Sequence, residues 1–203
     1  MKASSTRRSQ SERSQATRKA LVAAARKLFG ARGYASVGTE EIVRAAGVTR
    51  GALYHQFSEG KRELFEAVYE AVEVDLTERV VTASLAASDP LGGMRIGGET
   101  FLDAALEPEV QRIVLLDGPA VLGWERWREI ASEHGLGVIE AVLGEAIKAG
   151  QFKEQPVKPL AHLLMGALDE GAMLVARADD PKTAKAEVQA TLNGLLDGLA
   201  RAS

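Results

Sequence analysis

Arg50, Tyr54 and His55 lie within eight residues of one another, in the stretch TEEIVRAAGVTRGALYHQFSEGKRELF at positions 39–65. Basic and hydrogen-bonding side chains at this spacing fall on one outward face of a short helix, which is chemistry for reading DNA. A guanidinium at Arg50, the N-terminal end of that helix, can bond guanine O6 and N7 together. Gly51 and Ala52 are small enough to bring the backbone close, and Ala52 can touch a thymine methyl. Tyr54 and His55 suit phosphates, as do Thr39 and Lys61 at the starts of their helices, where backbone N–H groups favour anions. Thr49 can cap the recognition helix and completes the DNA-facing set. Competing assignments remain open: Tyr54 as a core aromatic with a wet hydroxyl, His55 as merely exposed, and Arg50 as the partner of a nearby carboxylate.

These residues need two short helices set at an angle. Thr39 can cap a helix through Ala46, with Glu40 and Glu41 near its positive end. Gly47 supplies the turn, since it takes positive φ without strain. A second helix follows from 50 to 57, with Leu53 and Phe57 four apart and facing inward. Helix, glycine turn and second helix form the layout of a helix-turn-helix. Before it, Leu21, Ala24, Ala25 and Leu28 predict a helix over 14–32, stopped by Gly33. Residues 1–15 are polar, Ser-rich and basic, and are expected to be disordered.

After the Ser58-Glu59-Gly60 loop, a long helix is expected from Lys61 to about Ala87. Further helices follow at about 90–106, 108–123, 125–149, 157–178 and 181–201, three of them opened by Asp89-Pro90, Glu107-Pro108 and Asp180-Pro181. No segment alternates with period two. The expected fold is all-α with nine helices. A DNA-binding domain at 16–60 is joined by the long helix to a larger helical domain at 61–203.

Charge divides the chain in the same way. Residues 1–62 hold 13 Lys/Arg and 4 Asp/Glu, while residues 63–203 hold 12 and 24, so a net of +9 precedes a net of −12. A basic end on an acidic body suits contact with a polyphosphate at one end only. There is no cysteine, which excludes disulfides and thiolate metal sites. The first nineteen residues lack the apolar block of a signal peptide, and no apolar run approaches the ~20 residues that span a bilayer. A soluble cytoplasmic protein without cofactor or metal is expected. His55, His134 and His162 are the only histidines, and no H-E-x-x-H, nucleophile-elbow or phosphate-loop spacing occurs, so an enzyme is a poor reading.

Residues 21–65 resemble the DNA-binding domain of the TetR family of bacterial regulators. The resemblance rests on LVAAARKLFGARGY, on TEEIVRAAGVTRGALYHQF and on K-x-E-L-F. One departure is that Phe57 to Lys61 is a residue longer than the family's usual F-x-x-K, through Glu59-Gly60, which puts the placement of Lys61 on a phosphate in question. The resemblance implies a larger domain that binds a small effector and dimerises through its last two helices. The leading expectation is a ligand-responsive regulator, a repressor. It would bind a pseudo-palindromic double-stranded operator as a homodimer and be released by an unknown small molecule. A DNA-binding protein without an effector, constitutive or architectural, is the alternative.

The acidic body supplies candidates for both roles. Small residues beside leucines let helices approach, and Leu164, Leu168, Gly171, Leu192, Leu195, Leu196 and Leu199 are the expected dimer interface; a monomeric core would look similar. Phe101, Trp124 and Trp127, with Asp117 and His134, are candidates for an effector pocket, and equally describe a plain core. Gly92, Gly93, Gly97 and Gly98 fall in one predicted helix. That helix should be marginal, because each interior glycine costs about 1 kcal/mol relative to alanine. It is either a movable pocket wall or a loop.

Overall fold

A computed structural model describes residues 10–200, and among these residues the fold is nine helices with no strand. The chain forms two compact units that meet in sequence at Tyr69 and Glu70.

In the first unit, α1 spans Gln10–Arg32, α2 Thr39–Ala46 and α3 Arg50–Gln56, and the first turns of α4, Lys61–Ser84, complete it. Leu21, Ala25 and Phe29 of α1 are buried together with Ile42, Val43, Leu53 and Phe57. Phe65 lies 5.4 Å from Phe29 and 5.1 Å from Tyr34, ring centre to ring centre and edge-on in both cases. These contacts tie the first turns of α4 to the first unit, which runs through Tyr69.

The expected disordered tail is corrected over residues 10–15, which are helical. Gln56 Nε2 donates to Ser14 Oγ at 2.8 Å, and the Arg18 guanidinium lies 4.4 Å above the Phe57 ring. The end of α3 thus gives these turns polar and π partners that a composition argument does not see. The rest of the expected tail, residues 1–9, lies outside the described residues.

In the second unit, α4 continues to Ser84 and α5 spans Pro90–Ala104. Helix α6 covers 108–122 and α7 covers 124–148. Each contains a stretch wound with i→i+5 hydrogen bonds, Gln111–Asp117 in α6 and Ser132–Leu136 in α7. Gly123, at φ +84°, separates the two helices. Helices α8, Val157–Arg177, and α9, Pro181–Leu199, close the unit. Leu143, Ala146, Phe152, Ala161, Leu164 and Leu196 form its buried cluster.

Helix α8 is the most apolar long helix among the described residues. It has 21 residues, and an 18-residue window of it reaches a mean hydropathy of 1.2, long and apolar enough by those measures to cross a membrane. Half of the apolar window is buried inside the protein, and α8 packs on α5, α7 and α9. The apolar content is that of a central core helix.

The four glycines of 92–98 all lie in α5, so the loop reading is excluded. Asp89 caps the helix by accepting from the Gly92 N–H at 2.9 Å, an interaction that holds its carboxyl below the usual range. A methyl group at Gly97 would stand 2.5 Å from Ser84 Oγ, and one at Gly93 would stand 3.2 Å from the Ser84 carbonyl oxygen. The glycines therefore let α5 lie close against the end of α4.

Candidate nucleic-acid interface and effector cavity

Local geometry builds the DNA-facing helix from its ends. Gly47 takes φ +67° and ψ 30°, and its N–H donates to the Arg44 carbonyl. Thr49 Oγ1 accepts from the Ala52 N–H at 3.2 Å, so Thr49 is the cap of α3. Thr39 is not the cap of α2: Gly38 holds that position without a side-chain bond, and Thr39 is the first helical residue. Leu53 and Phe57 are fully buried, which fixes the rotation of α3. Arg50, Gly51, Tyr54 and His55 are then exposed and Ala52 half-exposed.

Arg50 is not idle in the free protein. Its guanidinium donates to Glu40 Oε1 at 3.0 Å and lies 5.6 Å from the centre of the Tyr54 ring. Both members of the ion pair are well exposed, and pairs of this kind exchange easily for another partner. The carboxylate alternative for Arg50 is thus realised, and it leaves the guanidinium at the outer surface of α3. Lys61 Nζ lies 3.9 Å from the centre of the Tyr34 ring, a cation–π contact. The extra loop residue is absorbed at Gly60, which takes φ +65° and whose N–H donates to the Phe57 carbonyl at 2.9 Å. Glu63 accepts from the Glu59 N–H at 3.0 Å and pins the same turn.

The second unit contains a cavity of about 130 Å³. Its walls include Leu76, Val80, Phe101, Trp127, Met165 and Leu168. The Trp127 indole is buried and donates to the Val114 carbonyl at 3.0 Å. Of the expected pocket residues, Phe101 and Trp127 line this cavity, whereas Asp117, Trp124 and His134 do not. Trp124 is exposed and packs on Trp127 from outside, with ring centres 5.0 Å apart. The polar lining includes Glu73, Arg95, Asp169, Gln189 and Asn193, none of them among the expected pocket residues. Glu73 and Asp169 carried a legible signal, being single acids inside the apolar stripes of α4 and α8.

Asp169 is hydrogen-bonded and ion-paired to Arg128, yet burial outweighs the guanidinium and pushes its carboxyl up to about 6, from 3.8. A carboxyl with a raised pKa binds its proton more readily in the fold than in the unfolded chain. Its contribution to stability is therefore full below about pH 3.8 and is lost as the pH rises through about 6. Relative to Asp169→Asn, which keeps an acceptor for Arg128, the protein is expected to lose up to about 3 kcal/mol across that window. Denaturant titrations at a series of pH values measure this, and parallel profiles for the two proteins would remove Asp169 as the titrating group.

The expected dimer residues divide. Leu164, Leu192 and Leu196 are buried within the chain's own second unit, and Leu168 lines the cavity. Gly171 is buried too, where a methyl group would stand 2.6 Å from Val188 Cγ1. Leu199 packs against the core cluster. Of these only Leu195 is exposed, and Leu163 and Leu174 of α8 are exposed with it. A leucine stripe has one period whether it faces its own core or a partner, so spacing alone could not separate the two.

Residues 21–68 match the family model for bacterial regulatory proteins of the tetR family, and residues 91–199 match that for the tetracyclin repressor-like C-terminal domain. The crystal structure of a TetR-family transcriptional regulator from Pectobacterium atrosepticum superposes with a TM-score of 0.85 at 35% identity. That match covers 96% of this chain and 99% of the other. The transposon Tn10 TetC protein of Escherichia coli is 28% identical over 157 residues, which are 77% of this chain and 79% of that protein. The uncharacterised regulator YxaF of Bacillus subtilis is 33% identical over 163 residues, 78% of this chain and 84% of its own length. A capped helix-turn-helix followed by a helical unit with its own cavity agrees with each of these matches: the chain belongs to the TetR family of bacterial transcriptional regulators.

Proposed function

We propose that the protein is a ligand-responsive repressor of the cytoplasm that binds a pseudo-palindromic operator as a homodimer and leaves it when a small molecule enters the cavity. The observation that carries the reading is α3. Leu53 and Phe57 anchor it, while Arg50, Gly51, Tyr54 and His55 stand outward at the positions where recognition helices meet DNA. Arg50 reads a base edge in place of Glu40. Ala52 lies against the groove, and Thr39, Thr49, Tyr54, His55 and Lys61 serve phosphates. Two such heads sit about one helical turn, roughly 34–36 Å, apart on the operator.

Helix α4 is continuous from Lys61 to Ser84, and Glu73, Leu76, Thr77, Val80 and Ser84 on it line the cavity. A molecule that displaces these turns moves a helix whose other end belongs to the DNA-binding unit. Release needs the molecule to bind the DNA-free state better, and DNA must then weaken its binding by the same factor.

Footprinting on DNA upstream of the protein's own gene supplies an operator, and Arg50→Ala tests the base-reading role. The variant is expected to lose roughly 5–150-fold in operator affinity and to relax preference at one base pair of each half-site, with much less change on random DNA. An equal loss on operator and random DNA would make Arg50 a phosphate contact.

A further inference from the structure

We propose that the cavity takes an apolar, one-ring molecule that carries an O–H or N–H donor and no negative charge, a class that rests on reading the cavity as the effector site. Size sets the first limit. At about 130 Å³ the cavity is close to the ~150 Å³ apolar cavity that holds benzene in an engineered protein. Leu76, Phe101, Trp127, Met165 and Leu192 give the walls an apolar character that excludes strongly hydrated molecules.

The polar lining sets the second limit. Gln189 Nε2 donates to Asn193 Oδ1 at 3.3 Å, while Gln189 Oε1 is buried and accepts from nothing in the protein. A buried acceptor in this condition is satisfied only by a donor brought from outside. Charge sets the third. Glu73 and Asp169 place two buried carboxylates at the lining. The Arg128 guanidinium is engaged by the buried Asp169, and Arg95, which also lines the cavity, is engaged by the more exposed Asp197. In a medium of low polarisability an anion placed beside these two carboxylates is disfavoured. A phenol or an aniline meets all three conditions, a hydrocarbon leaves Gln189 Oε1 unmet, and a carboxylate fails on charge.

Calorimetric titration of the full chain with phenol, aniline, toluene and benzoate tests the class. Phenol, aniline or both are expected to bind about tenfold more tightly than toluene, and benzoate more weakly than any of them. Gln189→Met, of similar volume and without the acceptor, is expected to remove most of the preference for a donor while toluene binds as before. Toluene binding as well as both phenol and aniline in the unaltered protein overturns the proposal, as does benzoate binding as well as either. The ligand series alone is decisive should the variant not fold; a folded variant that keeps the full preference also overturns the assignment to Gln189. Titrating operator duplex with and without each compound separates the two readings. Donor-selective binding that leaves operator affinity unchanged upholds the class and removes the effector role. Release by benzoate or toluene alone upholds the effector role and removes the class.

Discussion

Glutamate at Leu192 or Leu196 is expected to unfold the second unit, while glutamate at Leu163, Leu174 and Leu195 together is expected to give a folded monomer. Leu192 and Leu196 are 8% and 6% exposed, and Leu196 belongs to the core cluster with Phe152 and Leu164. A carboxylate there loses its hydration without a partner, a cost of several kcal/mol against a total stability of about 5–15 kcal/mol. Leu163, Leu174 and Leu195 are 72%, 57% and 51% exposed, so charge at these sites costs the single chain little. Between two copies the same charges would face one another across an apolar contact and separate it. Light scattering gives the mass and circular dichroism the fold. A dimer that survives the triple substitution places the interface away from these leucines, and a folded Leu196→Glu would contradict the core assignment.

Gly171→Ala should destabilise the protein by about 1–3 kcal/mol, through one contact that can be isolated. The new methyl group would stand 2.6 Å from Val188 Cγ1, across the line where α8 and α9 meet. Valine in a helix is held to one χ1 rotamer, so it cannot turn away as a longer side chain would. Val188→Ala removes the obstruction at its own packing cost. In the double variant the alanine at 171 should then cost almost nothing further, a non-additivity that thermal or denaturant unfolding reads directly. Additive losses would mean that α8 and α9 move apart as bodies and that Val188 is not the limiting contact.

The DNA-reading unit was legible because its rules are local. Gly47 at a left-handed turn, Thr49 at a cap and Leu53 with Phe57 four apart each depend on neighbours within a few residues. Proline starts and glycine stops placed most helix ends to within a few residues for the same reason. What escaped the sequence was long-range. Ser14 and Arg18 find partners at Gln56 and Phe57, some forty positions away, and so the helix starts earlier than composition implied. Trp124 and Trp127 are three apart and look equivalent in a sequence, yet Trp127 lines the cavity and Trp124 lies outside it. The leucines of α9 show a single stripe, and only packing tells Leu192 and Leu196 from Leu195.

The two stretches with i→i+5 hydrogen bonds, Gln111–Asp117 and Ser132–Leu136, both reach the cavity, at Val114 and Gly135. Such turns are wider than an α-helix and are rarely more than local departures from it. Local opening free energies vary across a fold, and backbone bonded in this way belongs at the lower end even where Ile113, Val114 and Leu115 are buried. Amide hydrogens of these turns therefore exchange with solvent ahead of those in the flanking helical turns. A molecule packed against Val114 or Gly135 retards that exchange there first, so occupancy is written into the backbone of α6 and α7 before any helix has to move.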